Sequence, residues 1–68
     1  MELCKYCNTI MNGEYETLKN KSYNFFYTCP NCKSIYEGTK KDNLQIIKSR
    51  WFNSSTNQFE NIKGYLND

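Results

Sequence analysis

The 68-residue chain has no histidine, no alanine and no valine, and it has a single proline and a single arginine. Without histidine, the usual general base of enzymes is missing. The shortage of aliphatic residues leaves the core to aromatic side chains, namely six tyrosines, four phenylalanines and one tryptophan. A domain of this size usually needs disulfides, a metal or a partner to be stable. The four cysteines are the only residues in the sequence that could form such a disulfide or metal site.

Long apolar runs are also missing. No segment approaches the roughly 18–20 apolar residues of a membrane-spanning helix. The first ten residues include Glu2, Lys5 and two cysteines where a signal peptide would have its apolar core. We therefore expect a cytoplasmic protein with no membrane partner. Because cytoplasmic thiols stay reduced, paired cysteines there favour metal or redox chemistry over structural disulfides.

The net charge of the chain is small, with a formal value of +2. Four thiolates around one Zn²⁺ carry more negative charge than the metal neutralises, and this surplus would cancel the net charge of the chain. Overall charge therefore gives little support to nucleic-acid binding, although local basic patches remain compatible with it.

Every cysteine belongs to one of two Cys-x2-Cys pairs, Cys4 with Cys7 and Cys29 with Cys32, and 21 residues separate the pairs. This spacing is typical of a four-thiolate zinc site, because a two-residue spacer lets both sulfurs of a pair turn toward one point. The intervening segment is long enough for an antiparallel hairpin, which would bring the two pairs together.

The residues beside the pairs agree with such a site. Pro30 fixes a backbone angle that is compatible with a turn. Asn8 follows the first pair, where a left-handed backbone is often needed, and asparagine adopts it more readily than most residues. Lys33 holds the equivalent place after the second pair and is less suited to it. Lys5 and Lys33 would offset the negative charge of the thiolates.

The motif CKYC…CPNC, with a hairpin-length insert, resembles the zinc ribbon family over about residues 3–37. The resemblance implies two zinc knuckles joined to a small antiparallel sheet. It also implies one structural Zn²⁺ with four cysteine ligands: Cys4, Cys7, Cys29 and Cys32. It does not specify a function, because zinc ribbons serve in transcription, translation, replication and recombination and as structural inserts in enzymes.

Three other uses of the cysteines stay open. A redox Cys-x2-Cys motif normally belongs to a thioredoxin-like fold, for which this chain is too short. Disulfides do not suit the expected reducing compartment. Iron in a rubredoxin-like electron carrier accepts four thiolates from two such pairs. Rubredoxins, however, usually have glycine where Asn8 and Lys33 stand here.

Alternation and turn signals predict the strands. The aromatic segment 23–29 alternates between two faces and is the clearest strand, and 14–19, 34–38 and 44–52 are further candidates. A polar turn is expected over 38–43.

The end of the chain predicts a helix over 56–66. Ser55 lies three residues before Gln58, which is the spacing of a capping box. Apolar residues then recur at spacings of three and four: Phe59, Ile62 and Leu66. The expected fold is thus one metal-stabilised β domain over 1–68, with knuckles and hairpin in 1–37. It has an antiparallel sheet of three to four strands, two zinc knuckles and a short C-terminal helix.

The sequence shows no catalytic set, since a four-cysteine zinc site has no open coordination position. We expect a non-catalytic adaptor or regulatory protein, without a small-molecule substrate, that docks on a larger protein of the nucleic-acid-handling machinery. Aromatic and arginine side chains are the usual anchors of such interfaces. The candidate partner surface is Trp51, Arg50, Phe52, Tyr23 and Phe26.

Direct DNA or RNA binding is the alternative function. Lysines in the expected turns and on the later strand, close to aromatic residues, would suit a phosphate-and-stacking surface for single strands. The candidate nucleic-acid surface is Lys19, Lys21, Lys40, Lys41 and Lys48. Lysines exposed in turns for solubility and aromatics that fill a small core explain the same residues, and this interpretation is the simpler one.

Overall fold

Five antiparallel strands form one sheet in the computed structural model, which describes residues 2–65. The strands follow one another across the sheet in chain order. Their bounds are β1 Asn12–Thr17, β2 Ser22–Thr28, β3 Ile35–Lys41, β4 Ile46–Asn53 and β5 Gln58–Lys63. The molecule is thin, with principal extents of 35 × 28 × 15 Å. No helix occurs within 2–65, so none of the described chain could cross a membrane as a helix.

The alternation predicted for β2 is confirmed. Phe25 and Tyr27 are buried, whereas the ring of Phe26 between them is 41% exposed. Directly opposite residues in an antiparallel pair share a face, and Phe26 is opposite Glu14 on β1 and Glu37 on β3. The sheet therefore has a metal face, which carries Phe25 and Tyr27, and an open face, which carries Phe26.

The core lies on the metal face beside the cysteines. Its buried hydrophobic members are Cys4, Met11, Phe25, Tyr27 and Cys29. Half-buried aromatics extend it across the sheet, because the Trp51 ring stacks on Tyr36 at a centroid distance of 4.5 Å and Tyr6 meets Trp51 edge-on at 5.7 Å. Packing between aromatic rings thus builds the core in place of the valine and alanine side chains that the sequence lacks.

Gly38 of β3 lets the core close against β4. A Cβ atom at this position would lie 2.1 Å from the carbonyl oxygen of Lys48 and 2.7 Å from the Phe25 ring. A larger residue would therefore push β4 or Phe25 away from the sheet.

The predicted C-terminal helix over 56–66 is wrong for the described part of that range, and residue 66 lies outside the described residues. Gln58–Lys63 is strand β5 instead. Phe59 faces Phe52 across the β4–β5 pair, with ring centroids 5.3 Å apart. Positive φ angles at Asn57 and Asn61 are incompatible with a continuous right-handed helix. Cross-strand packing therefore outweighs the apparent capping box.

The sheet is also wider than expected, with five strands in place of three or four. The predicted strand over 44–52 corresponds to β4, except that Leu44 belongs to the preceding turn and has a φ of 66°. Strand β3 continues to Lys41, so the turn expected over 38–43 is shorter than predicted.

Candidate metal centre

The four cysteine sulfurs lie together at the end of the sheet where β1 begins and β2 ends, which we call the metal end. Sγ of Cys4 is 3.6 Å from Sγ of Cys32, and Sγ of Cys7 is 3.5 Å from Sγ of Cys29. All four sulfurs lie within 4.8 Å of one another. Four sulfurs at about 2.3 Å from a tetrahedral zinc ion are separated by about 3.8 Å. The cysteines are thus arranged to hold one metal ion.

The two knuckles repeat one backbone pattern. In the first, the amide of Asn8 donates to the carbonyl of Cys4 at 2.8 Å and the amide of Cys4 donates to the carbonyl of Thr9. The second knuckle makes both bonds at the equivalent positions, from Lys33 to Cys29 and from Cys29 to Ser34. The repeat explains why two Cys-x2-Cys pairs present matched halves of a tetrahedron.

Each knuckle needs a left-handed residue after its second cysteine. Asn8 has a φ of 62° and Lys33 a φ of 71°. Asparagine tolerates this region, whereas lysine is strained there. The sequence prediction for both positions is confirmed, and Lys33 bears the larger conformational cost.

We call the sulfurs of Cys7 and Cys32 the outer sulfurs, and those of Cys4 and Cys29 the inner sulfurs. Each outer sulfur is contacted by the hydroxyl of the residue two positions after it in the sequence. The Thr9 hydroxyl lies 3.2 Å from Sγ of Cys7, and the Ser34 hydroxyl lies 3.3 Å from Sγ of Cys32. The bond from Thr9 lowers the pKa of Cys7 to about 6, and the bond from Ser34 lowers the pKa of Cys32 below its ordinary value. Both hydroxyls thus favour the thiolates that bind metals.

The inner sulfurs are in a different environment. Cys4 and Cys29 are fully buried, and burial raises the pKa of Cys4 to about 11. A buried thiolate is unfavourable without a positive partner. The two lysines next to the pairs donate elsewhere, Lys5 to the Asn61 side chain and Lys33 to the carbonyl of Pro30. The donor set therefore fits a divalent cation bound among four sulfurs.

Strands β4 and β5, beyond the segment that resembles the zinc ribbon, contact both knuckles. The Tyr6 hydroxyl donates to a carboxylate oxygen of Glu60 at 2.8 Å, and Lys5 Nζ donates to the Asn61 side chain. Burial and the Glu60 carboxylate raise the pKa of Tyr6, which keeps the phenol protonated as a donor. The first knuckle is thereby held to β5.

The second knuckle is held to the β4–β5 turn. The Ser54 amide donates to the Ser34 hydroxyl at 3.2 Å, and the two hydroxyls are 3.3 Å apart. The Ser54 hydroxyl donates to the carbonyl of Cys32. Ser34 is 1% exposed, so its hydroxyl is a buried junction between the turn and the metal ligands.

The candidate partner surface divides between the two faces. Trp51 and Tyr23 lie on the metal face, where Trp51 packs against the core as a half-buried ring. The other three residues lie on the open face: Phe26, Arg50 and Phe52. There the Arg50 guanidinium lies 3.8 Å from the Phe59 ring centroid and donates to Glu37 through Nε at 2.7 Å.

Four of the five candidate nucleic-acid residues meet at the end of the sheet opposite the metal, which we call the lysine end. Lys19 and Lys21 lie in the β1–β2 turn, and strand pairing sets Lys41 opposite Ser22. Lys40 is the fourth, and its Nζ lies 5.2 Å from the Phe25 ring centroid. Lys48 is separate, on the open face beside Tyr65.

Sequence reasoning missed the residues that support the cysteines. Thr9 and Ser34 are small hydroxyl residues at the same offset from each pair, so the repeat of pattern could have identified them. Tyr6, Glu60 and Ser54 gave no such signal, because their contacts depend on the unpredicted β4–β5 hairpin.

Comparison with protein-family models, with curated proteins and with solved structures found no match to this chain. The protein is therefore described by its own geometry. It is a five-stranded antiparallel sheet with a cluster of four cysteines that could bind a metal, and this arrangement is compatible with a zinc ribbon.

Proposed function

We propose that the protein is a zinc ribbon that acts as a non-catalytic adaptor in the cytoplasm and docks on a larger protein, one that handles nucleic acid. The zinc is structural and has four thiolate ligands. The open face is the docking surface. The observation that carries this proposal is the exposure of Phe26 and Phe59, which are 41% and 43% exposed, on a sheet face that no second layer from residues 2–65 covers.

We favour zinc because four thiolates from two Cys-x2-Cys pairs are a usual ligand set of structural zinc sites, although iron also accepts four thiolates. Elemental analysis of protein purified without chelator distinguishes the two. One zinc per chain in a colourless sample supports the proposal. A coloured protein that contains iron would indicate the rubredoxin-like alternative.

The open face has the chemistry of a protein interface. The guanidinium carbon of Arg50 lies 3.8 Å from the ring centroid of Phe59 and 4.3 Å from that of Tyr65. The depression beside it has a volume of 510 Å³ and is lined in part by Phe26 and Glu37. Pre-ordered arginine and exposed aromatic rings are typical anchors of interfaces.

The docking surface can be tested by affinity purification from the native host, with identification of the captured proteins. Phe26→Ala should lose the captured protein while the melting temperature changes little, because its ring packs on no core residue. Trp51→Ala should lower the melting temperature, because Trp51 stacks on Tyr36. Leu44→Ala, at an exposed turn residue of the lysine end, is the matched control. Retention of the same protein by Phe26→Ala would remove the open face from the proposal.

Direct single-strand binding is a second candidate function, and the convergence of Lys19, Lys21, Lys40 and Lys41 favours it. Tyr15 and Tyr23 stand next to these lysines and line a depression of 520 Å³ together with Lys21. Lysines beside accessible aromatic rings suit phosphate contact and base stacking.

A labelled single-stranded oligonucleotide tests this candidate. Lys19→Glu with Lys21→Glu should weaken binding and reduce its salt dependence, whereas Lys63→Glu on β5 should have less effect. Absence of binding at low salt would reject the candidate and leave the adaptor.

A further inference from the structure

Within residues 2–65, the open face has no second layer of structure packed against it. Domains normally pack their sheets against a second layer, yet within residues 2–65 the knuckles lie on the metal face and only Tyr65 lies over part of the open face. The exposed rings of Phe26 and Phe59 are therefore left in solvent. An exposed apolar patch with polar surroundings usually marks an interface.

Charge is distributed unequally across this face. Strand β1 carries Glu14 and Glu16, and β4 carries Lys48 and Arg50. Two cross-strand rows connect them, since Glu14 and Phe26 lead to Glu37 and Arg50, and the next row runs from Glu16 to Lys48. One edge of the face is thus acidic, and the side near the other edge is basic.

This distribution is self-complementary under one kind of symmetry. A two-fold axis parallel to the strands and between two facing sheets sets β1 of one copy over β5 of the other, and β2 over β4. The acidic strand β1 of one copy then lies one strand away from the basic strand β4 of the other. An axis perpendicular to the strands would set β1 over β1 and bring together the carboxylates of Glu14 and Glu16, neither of which has an ion-pair partner within residues 2–65, which is unfavourable.

We infer that the open face binds a second copy of this chain, with the strands of the two sheets aligned. Phe26 of each copy lies over Arg50 of the other, and the two faces form the interior of a β-sandwich. Glu37 lies nearest the axis, where its ion pair with Arg50 of the same chain offsets repulsion between the two copies.

The size of the face is sufficient. A standard interface buries about 800 Å² on each partner, and the two longer extents of the molecule that carries this face are 35 and 28 Å. Isologous two-fold contacts of this kind close on themselves, so they give a dimer and not a filament.

This inference rests on the proposed function in one respect, namely that the open face is the docking surface. It adds that a second copy occupies this surface until the larger protein displaces it. Dimerisation and capture of the larger protein therefore compete, and each can be measured without the other.

Light scattering coupled to size-exclusion chromatography of the zinc-loaded protein tests the inference directly. We expect twice the chain mass of 8.1 kDa at a concentration of about 0.5 mM, since interfaces of this size bind at micromolar or lower concentrations. Phe26→Glu should raise the dimer dissociation constant by at least about 30-fold, as expected for a central anchor. Leu44→Glu, an equally drastic change at the lysine end, should leave the mass unchanged.

A charge exchange identifies the symmetry. Glu16→Lys and Lys48→Glu should each weaken the dimer, and the double variant should recover most of the loss. Within one chain the two residues are three strands apart, about 14 Å, so recovery reports a contact between copies. Zinc content and amide dispersion show that every variant is folded.

A monomer at about 0.5 mM, or a dimer that Phe26→Glu leaves intact, would overturn the inference. Failure of the adaptor proposal has a different signature. In that case the dimer dissociates in Phe26→Glu as expected, while the protein captured from the host is the same for wild type and variant. A larger protein that binds a monomeric chain through Phe26 would support the adaptor and reject the dimer.

Discussion

The first and second knuckles share a backbone but differ in how they join the sheet. The second lies between β2 and β3, so both of its ends continue into central strands. The first precedes β1, the edge strand, and pairs with the chain that follows it only through the Leu3–Ile10 bridge. Side-chain bonds to β5 supply the remaining attachment, through Lys5 and Tyr6.

This difference shows that the hairpin of β4 and β5 is part of the metal centre. It accepts a hydrogen bond from Tyr6 at Glu60 and contacts the second knuckle through Ser54. Two independent half-sites are thereby oriented against one common element. The consequence is that both knuckles should depend on the metal, but they should respond unequally to loss of the hydroxyls and of these bonds.

Loss of a metal ligand should have the largest effect in either knuckle. Structural zinc sites contribute on the order of 10 kcal/mol in apparent binding free energy, which is comparable with the whole stability of a small domain. Cys29→Ser and Cys4→Ser should therefore abolish zinc binding and the native amide dispersion in NMR spectra. Both sulfurs are fully buried.

Chelation of the wild type is the matching experiment. It should collapse the same resonances in both knuckles, and added zinc should restore them. A chelated chain that keeps native dispersion at residues of the second knuckle only would show that β2 and β3 order it without metal. That outcome would contradict our expectation of a metal-dependent fold.

The cysteine cluster was predictable because the spacing within each Cys-x2-Cys pair is a local feature of the sequence. The alternation of β2 was predictable because one face of this strand is buried. The β4–β5 hairpin could not be predicted in the same way. Ser55, Gln58 and the spacing of Phe59 and Ile62 satisfy helical rules. The deciding contacts are made across the hairpin with Phe52 and with the first knuckle, which is far away in sequence. The open face could not be identified either, since exposed Phe26 and buried Phe25 are adjacent and chemically alike.

Removal of the supporting hydroxyls should have the next largest effect and should separate the knuckles. Ser34→Ala deletes a buried acceptor of the Ser54 amide together with the bond to Cys32. We expect a loss of about 1–3 kcal/mol, because a buried polar group is left without a partner. Thr9→Ala is the matched change in the first knuckle and should cost about 1 kcal/mol.

Chemical denaturation at one fixed free zinc concentration measures both losses, because bound metal adds to apparent stability. Equal losses in the two variants would mean that the bonds from Ser34 to the β4–β5 turn contribute nothing beyond the sulfur contact.

Tyr6→Phe tests the attachment of the first knuckle to β5. The change deletes the hydrogen bond to Glu60 and keeps the ring that meets Trp51 edge-on. We expect a loss of about 1 kcal/mol, which denaturation at the same zinc concentration can detect. Glu60 keeps the Asn53 amide as a donor, so Asn53→Ala is a control that removes the other bond of this carboxylate. No change in Tyr6→Phe would indicate that water replaces the phenol.

The smallest expected effect comes from exchange of the left-handed residues. Lys33 has a φ of 71° in the second knuckle, where Asn8 has a φ of 62° in the first. Left-handed geometry is costly for most side chains and easier for asparagine, so Lys33→Asn should stabilise the protein by about 0.5–1 kcal/mol. The hydrogen bond from Lys33 Nζ to the carbonyl of Pro30 is exposed, and its loss should offset little of this gain. Asn8→Lys should destabilise the first knuckle by a similar amount. If Lys33→Asn lowers stability instead, the lysine charge beside the thiolates outweighs its backbone strain at this position. Repeating the Lys33→Asn measurement at high salt then distinguishes the two causes, because salt screens the charge and leaves the strain unchanged.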